Sequence, residues 1–176
     1  MKFIETSLKD CYIIEPNVFE DARGYFFESF SQRVFQEKTG LSINFVQDNQ
    51  SRSTYGVLRG LHYQKGVHAQ AKLVRVLEGE VLDVAVDLRP ESDTYLQHEA
   101  IKLSAKNKRQ LFVPRGFAHG IVVLSDTVDF FYKCDNFYNK EAEAGIIYND
   151  PKLNIDWIVN EKDLVFSNKD KALPNI

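Results

Sequence analysis

The chain has 176 residues, 44% of them hydrophobic, with 22 basic and 25 acidic side chains for a net charge of −3. That length suits one domain, and that apolar content suits a real core and excludes a disordered chain. So even a charge balance offers no footprint for nucleic acid or an anionic membrane surface.

The amino-terminal MKFIETSLKD is too charged for a signal peptide, and no apolar run approaches the ~20 residues of a spanning helix. Cys11 and Cys134 are the only cysteines, too few for a disulfide framework. Together these features point to the cytoplasm. The 13 Phe and 8 Tyr favour sheets, because aromatic side chains pack well on pleated surfaces.

In chain order, residues 11–16 form an apolar run closed by Pro16, and Asp21-Ala22-Arg23-Gly24 reads as a turn. Ser31 is placed to cap a helix over residues 32–38, with Gly40 just past its end. Val34 and Phe35 give it an apolar side, but two turns predict a surface element and not a core builder. Residues 71–77 alternate weakly, with Lys72, Val74 and Val76 on one face. Glu78-Gly79 then leads into 81–88, where Leu82, Val84, Val86 and Leu88 alternate with Asp83, Ala85 and Asp87; this pattern predicts a hairpin. Further strands are expected at 99–103, 110–113, 119–124 and 127–134, and short strands at such spacing imply a sandwich or barrel. No linker divides the chain, and the irregular segment from Pro151 is expected to wrap the barrel.

Two of the four histidines stand in notable contexts: Arg59-Gly60-Leu61-His62-Tyr63-Gln64, and Pro114-Arg115-Gly116-Phe117-Ala118-His119-Gly120. Three readings are open for them. One is a hydrogen-bonded strand histidine without further role. Another is metal binding, which needs three or four converging N, O or S donors. Small metal-holding barrels often use an H-x-H pair with a nearby Glu, but Tyr63, Gln64 and Lys65 follow His62, and Lys72 would repel a divalent cation. The third is general acid–base catalysis, since imidazole titrates near neutrality and works best when a carboxylate fixes its tautomer. Tyr132 shares a strand face with Val128 and Phe130, so its phenol would project inward, either bonded structurally or facing a histidine across a cavity. Arg59 and His62 are three residues apart, so a regular strand points them to opposite faces; both can line one pocket only if Gly60 seats a bulge.

The segments Arg59–Gln64, Ala71-Lys72-Leu-Val-Arg-Val, Val113-Pro-Arg-Gly-Phe-Ala-His119-Gly, Tyr132-Lys, Tyr138, Glu143-Ala-Gly-Ile-Ile-Tyr-Asn-Asp150 and Ser167-Asn-Lys169-Asp170 resemble the dTDP-4-dehydrorhamnose 3,5-epimerases. The match runs in order from about Phe19 to Asp170. The resemblance implies an all-β, cupin-like jelly roll, a homodimer, and no metal or other cofactor. The implied substrate is dTDP-4-dehydro-6-deoxy-D-glucose, epimerised at C3 and C5. On this resemblance His62 is the base oriented by Asp170, Tyr132 is the acid, and Lys72 stabilises the enolate oxygen. Arg23 and Arg59 would hold the diphosphate, and Tyr138 would stack on thymine. Glu28, Gln47, Asp48, Asn49, His119, Glu143 and Lys169 would line the nucleotide-sugar site. Taken singly, Arg23 and Glu28 read as solvated surface charges. An epimerase acting at one carbon only, and a binding protein without activity, are the alternatives.

Overall fold

The computed structural model describes residues 1–176. Its strands are β1 (Lys2–Glu5), β2 (Tyr12–Glu15), β3 (Phe19–Asp21), β4 (Gly24–Phe26), β5 (Gln47–Thr54), β6 (Leu58–Gln64), β7 (Lys72–Glu78), β8 (Glu80–Asp87), β9 (His98–Ser104), β10 (Gln110–Val113), β11 (Phe117–Val123), β12 (Thr127–Cys134) and β13 (Glu143–Gly145). Two α-helices, α1 (Gln32–Thr39) and α2 (Asn168–Lys171), complete it. One sheet runs β1-β2-β10-β7-β12-β5 and the other β13-β6-β11-β8-β9, while β3 and β4 form a separate hairpin. From β5 to β8 and again from β9 to β12, consecutive strands change sheets, which gives the all-β, jelly-roll sandwich that the resemblance implied.

That pattern corrects one expectation. β7 and β8 are not a hairpin: β7 pairs with β10 and β12, and β8 with β11 and β9. The link between them crosses from one sheet to the other at Gly79. There φ is +82°, and a Cβ would stand 2.1 Å from the carbonyl oxygen of Thr127. Only glycine lets the chain cross the 125–127 turn this closely. Alternation and a glycine loop read the same for a hairpin and for a sheet change, because local pattern carries no information on the partner strand.

The core lies between the sheets. Val74 and Val76 of β7, Val81 and Ala85 of β8, Ile121 and Val123 of β11, and Val128 and Phe130 of β12 belong to one buried cluster. The opposite face of β8, with Leu82, Val84 and Val86, is also buried, because Ile146, Leu153 and Trp157 from the carboxy-terminal segment pack over it. The segment wraps the sandwich as expected. Asp83 therefore stands on the interior face between Val81 and Ala85.

Helix α1 has the expected caps: the Ser31 hydroxyl accepts from the Val34 N–H at 3.5 Å, and Gly40 is left-handed at φ +72°. Its expected lack of a core role does not hold. Phe35 is buried with Ile14, Ala71, Leu73 and Phe112 on the outer face of the six-stranded sheet, its ring centroid 4.9 Å from that of Phe112. One aromatic side chain, seated among rings from extended segments, anchors a helix too short to stand alone.

Candidate active site

The register between β6 and β11 resolves the problem posed by Arg59 and His62. His62 pairs with His119 and Arg59 with Ile121, so three steps along β6 oppose two along β11, and the ladder shifts between them. The extra residue falls at Gly60, where φ is +131° and a Cβ would meet the Gly120 Cα at 2.6 Å. The bulge turns Arg59 and His62 to the same side, and both line one cavity.

This cavity, about 310 Å³, lies between the two sheets. The five-stranded sheet supplies Arg59, His62, His119 and Ile121; the six-stranded sheet supplies Ser51, Lys72, Phe130 and Tyr132; the carboxy-terminal segment supplies Ser167, Lys169 and Asp170. A second lobe of about 270 Å³ shares His62, Lys72 and Tyr132 with the first. Gln47, Asn49, Gln64, Tyr138 and Glu143 extend it.

The His62 Nε2 lies 2.6 Å from Asp170 Oδ1. A carboxylate can only accept here, so Nε2–H donates and Nδ1 keeps the lone pair. Asp170 is 5% exposed and held in turn: its Oδ2 accepts from the Ser167 hydroxyl at 2.6 Å, and its own N–H donates to that hydroxyl at 3.1 Å. Burial pushes the His62 imidazole below its ordinary pKa and Asp170 pulls it part of the way back, while Lys72 and Lys169 deepen the depression. A neutral imidazole is the form that can accept a proton.

Tyr132 is on the interior face with Val128 and Phe130, as strand alternation requires, its ring 6.0 Å from Phe130. Burial raises its phenol pKa, with Cys134 and Glu143 adding and Arg59 opposing, so the phenol stays protonated and available as a donor. Lys72 opens β7 with its Nζ 5.9 Å from the Tyr132 ring centroid. Burial lowers its pKa, against Cys134, Asp83 and Glu143, which favour the charge.

His119 Nε2 is 2.9 Å from Oδ1 of Asp83, a residue with no solvent exposure. Each of the two histidines thus has its own carboxylate, and no group of three His, Cys, Asp or Glu side chains is arranged to hold a metal. At the mouth, Glu143 links Tyr138, whose hydroxyl donates at 3.0 Å, to the Lys169 ammonium. Burial opposes ionisation of Glu143, but the bonds from Lys169 and Tyr138 prevail and hold its carboxyl below the usual range. The Arg59 guanidinium donates to the Ser53 hydroxyl at 3.0 Å.

Three expected site residues stand elsewhere. Asp48 points to the opposite face of β5 from Gln47 and Asn49 and pairs with Lys133 at 2.9 Å, because neighbours on a strand alternate faces. Arg23 is at the turn of the β3–β4 hairpin, exposed and paired with Asp21, and Glu28 is exposed just beyond it; neither lines the cavity. Conversely Ser51, Gln64 and Phe130 line it without having been expected there. Two-residue steps from Asn49, His62 and Tyr132 were the signal for them. Nothing in the sequence pointed to Asp83 as the partner of His119.

A jelly-roll sandwich whose inter-sheet cavity joins a carboxylate-held imidazole, a protonated phenol and a half-buried lysine defines an acid–base enzyme. Residues 5–176 match the family model described as dTDP-4-dehydrorhamnose 3,5-epimerase. A relative of that name from Shigella flexneri is 54% identical over 169 residues, 93% of each chain. The crystal structure of the dTDP-4-dehydrorhamnose 3,5-epimerase from Elizabethkingia anophelis superposes with a TM-score of 0.97 at 61% identity, over 100% of this chain and 96% of that one. The dTDP-6-deoxy-D-glucose-3,5-epimerase of Legionella pneumophila, solved in complex with dTDP-4-keto-L-rhamnose, gives 0.95 at 49% identity, over 99% and 92% of the two chains. The chain belongs to the dTDP-4-dehydrorhamnose 3,5-epimerase family.

Proposed function

We propose that this chain epimerises dTDP-4-dehydro-6-deoxy-D-glucose at C3 and C5, giving dTDP-4-dehydro-L-rhamnose. The observation that carries the reading is the convergence of His62, Lys72 and Tyr132, contributed by three strands, on the wall common to both lobes of one cavity. The C4 ketone acidifies the protons on both neighbouring carbons. His62 Nδ1 takes one of them, and the charge moves to the C4 oxygen as an enolate, where Lys72 offers a preorganised cation; one such donor is worth about 2.7–4 kcal/mol. Inversion follows when the Tyr132 phenol returns a proton to the opposite face of the same carbon. Solvent then reprotonates the phenolate and takes the proton from the imidazolium, and the same groups act at the second carbon. General acid–base action of this kind contributes roughly 10²–10⁴-fold.

Arg59 and Lys169 suit the diphosphate, since both cations border the cavity, and the half-exposed Tyr138 ring at the mouth suits thymine. The homodimer that the resemblance implies is supported by the β3–β4 hairpin, where Phe19 is 64% and Phe26 71% exposed. A second copy covering these rings would bring Arg23 and Glu28 to a cavity that lacks them in one chain. Light scattering and an Arg23→Ala variant with a raised KM would support that assembly; a monomer with full activity would exclude it.

The deciding experiment is incubation with the keto sugar in D₂O. Deuterium at both C3 and C5 supports the reading, deuterium at one carbon makes this a mono-epimerase, and none at either removes the activity. Tyr132→Phe is expected to keep exchange while losing inverted product. If exchange falls as far as product, Tyr132 is not the acid.

A further inference from the structure

The Asp83 carboxylate is a buried charged group that the proposed reaction does not use. It has no solvent exposure, sits on the interior face of β8 between Val81 and Ala85, and gives its Oδ1 to His119 Nε2 at 2.9 Å. Its Oδ2 is buried with no hydrogen-bond partner. An ionised carboxylate half-satisfied in an apolar core is costly, so a purely structural role would be better served by an amide or an apolar residue. His119 is in turn the cross-strand neighbour of His62, its ring is stacked 6.3 Å from that of Phe130, and it borders the same cavity.

We propose that Asp83 is a positioning residue acting through His119: it fixes the imidazole as the Nε2–H tautomer and so presents Nδ1 as an acceptor to a hydroxyl of the sugar ring beside the carbon that His62 deprotonates. This rests on the epimerase reading of the cavity and adds to it the reason for a second histidine–carboxylate pair. A carboxylate at Nε2 can only accept, whereas an amide can turn and donate, which would move the lone pair to Nε2 and leave Nδ1–H facing a ring hydroxyl. The negative charge also serves Lys72, which Cys134, Glu143 and Asp83 all favour as the ammonium against burial. Cys134, Glu143, His62 and Tyr132 line the cavity with Lys72, and Arg59, Lys169, Asp170 and His119 border it as well.

The test is Asp83→Asn, nearly the same shape without the charge, alongside His119→Ala and the double variant. The kcat of Asp83→Asn is expected to fall about 10- to 100-fold, the scale of losing a hydrogen bond to a charged group. Binding of dTDP alone should be unchanged, and the alkaline limb of the kcat profile should move to lower pH as Lys72 loses a supporting charge. In the His119→Ala background, Asp83→Asn should cost much less than it does alone. Imidazole ¹⁵N shifts of the wild type should report an unprotonated Nδ1 on His119, a measurement that does not depend on any variant folding. A protonated Nδ1 with unprotonated Nε2 overturns the proposal, as does full kcat in Asp83→Asn, or equal losses from Asp83→Asn with and without His119. If wild type itself shows no deuterium exchange, the epimerase reading fails instead, and the ¹⁵N result still stands or falls on its own.

Discussion

The two histidine–carboxylate pairs occupy neighbouring strands yet are built in different ways. His119 and Asp83 come from adjacent, paired strands of one sheet, and both side chains are almost wholly out of solvent. The partner of His62 comes from 108 residues further along the chain, on a one-turn helix whose Ser167 cap also binds the carboxylate, and His62 keeps 28% of its side chain exposed. The contrast separates two tasks. A pair within a sheet is rigid and dry, which suits holding one orientation; a pair completed by the terminal segment stays at the cavity wall, where its histidine can exchange protons with substrate and solvent.

Breaking the His62 pair should have the largest effect. His62→Ala is expected to remove deuterium exchange at both carbons, roughly a 10²–10⁴-fold loss or more. Asp170→Asn should follow, lowering kcat by about 10²-fold with little change in dTDP binding. Asp170 raises the His62 pKa, so its loss should also move the acid limb of kcat/KM further below the ordinary imidazole value of 6.5. An acid limb that stays put would separate Asp170 from the base.

Next comes the bulge that lets one cavity see both Arg59 and His62. Gly60→Ala places a Cβ 2.6 Å from the Gly120 Cα at a left-handed φ. A stability loss of about 1–3 kcal/mol is expected from the backbone conformation alone, with activity falling alongside. A denaturation midpoint equal to wild type would show that the bulge does not need glycine. Smallest of all is Asp48→Ala. The Asp48–Lys133 pair is solvent-accessible on the far face of β5, so stability should change by no more than about 1 kcal/mol and turnover not at all. A large rise in KM would return Asp48 to the site.

Strand-borne chemistry was legible because alternation is local. Tyr132 follows from Val128 and Phe130. Local pattern misled where the partner strand mattered. The glycine link between β7 and β8 looked like a hairpin and is a change of sheet. Asp48 was placed beside Gln47 and Asn49 by the resemblance, and alternation along β5 turns it to the other face.

By itself the sequence determined an all-β chain, the residue types for proton transfer and, through its motifs, the family. Propensity, periodicity and motif order are properties of short stretches and survive without a fold. Only the tertiary structure decided that Gly60 turns Arg59 and His62 to one side, that Asp83 meets His119, and that the β3–β4 hairpin holds Arg23 away from the cavity. Each depends on which strands lie together across the sandwich, and that is set by burial of the whole core and not by any segment of it.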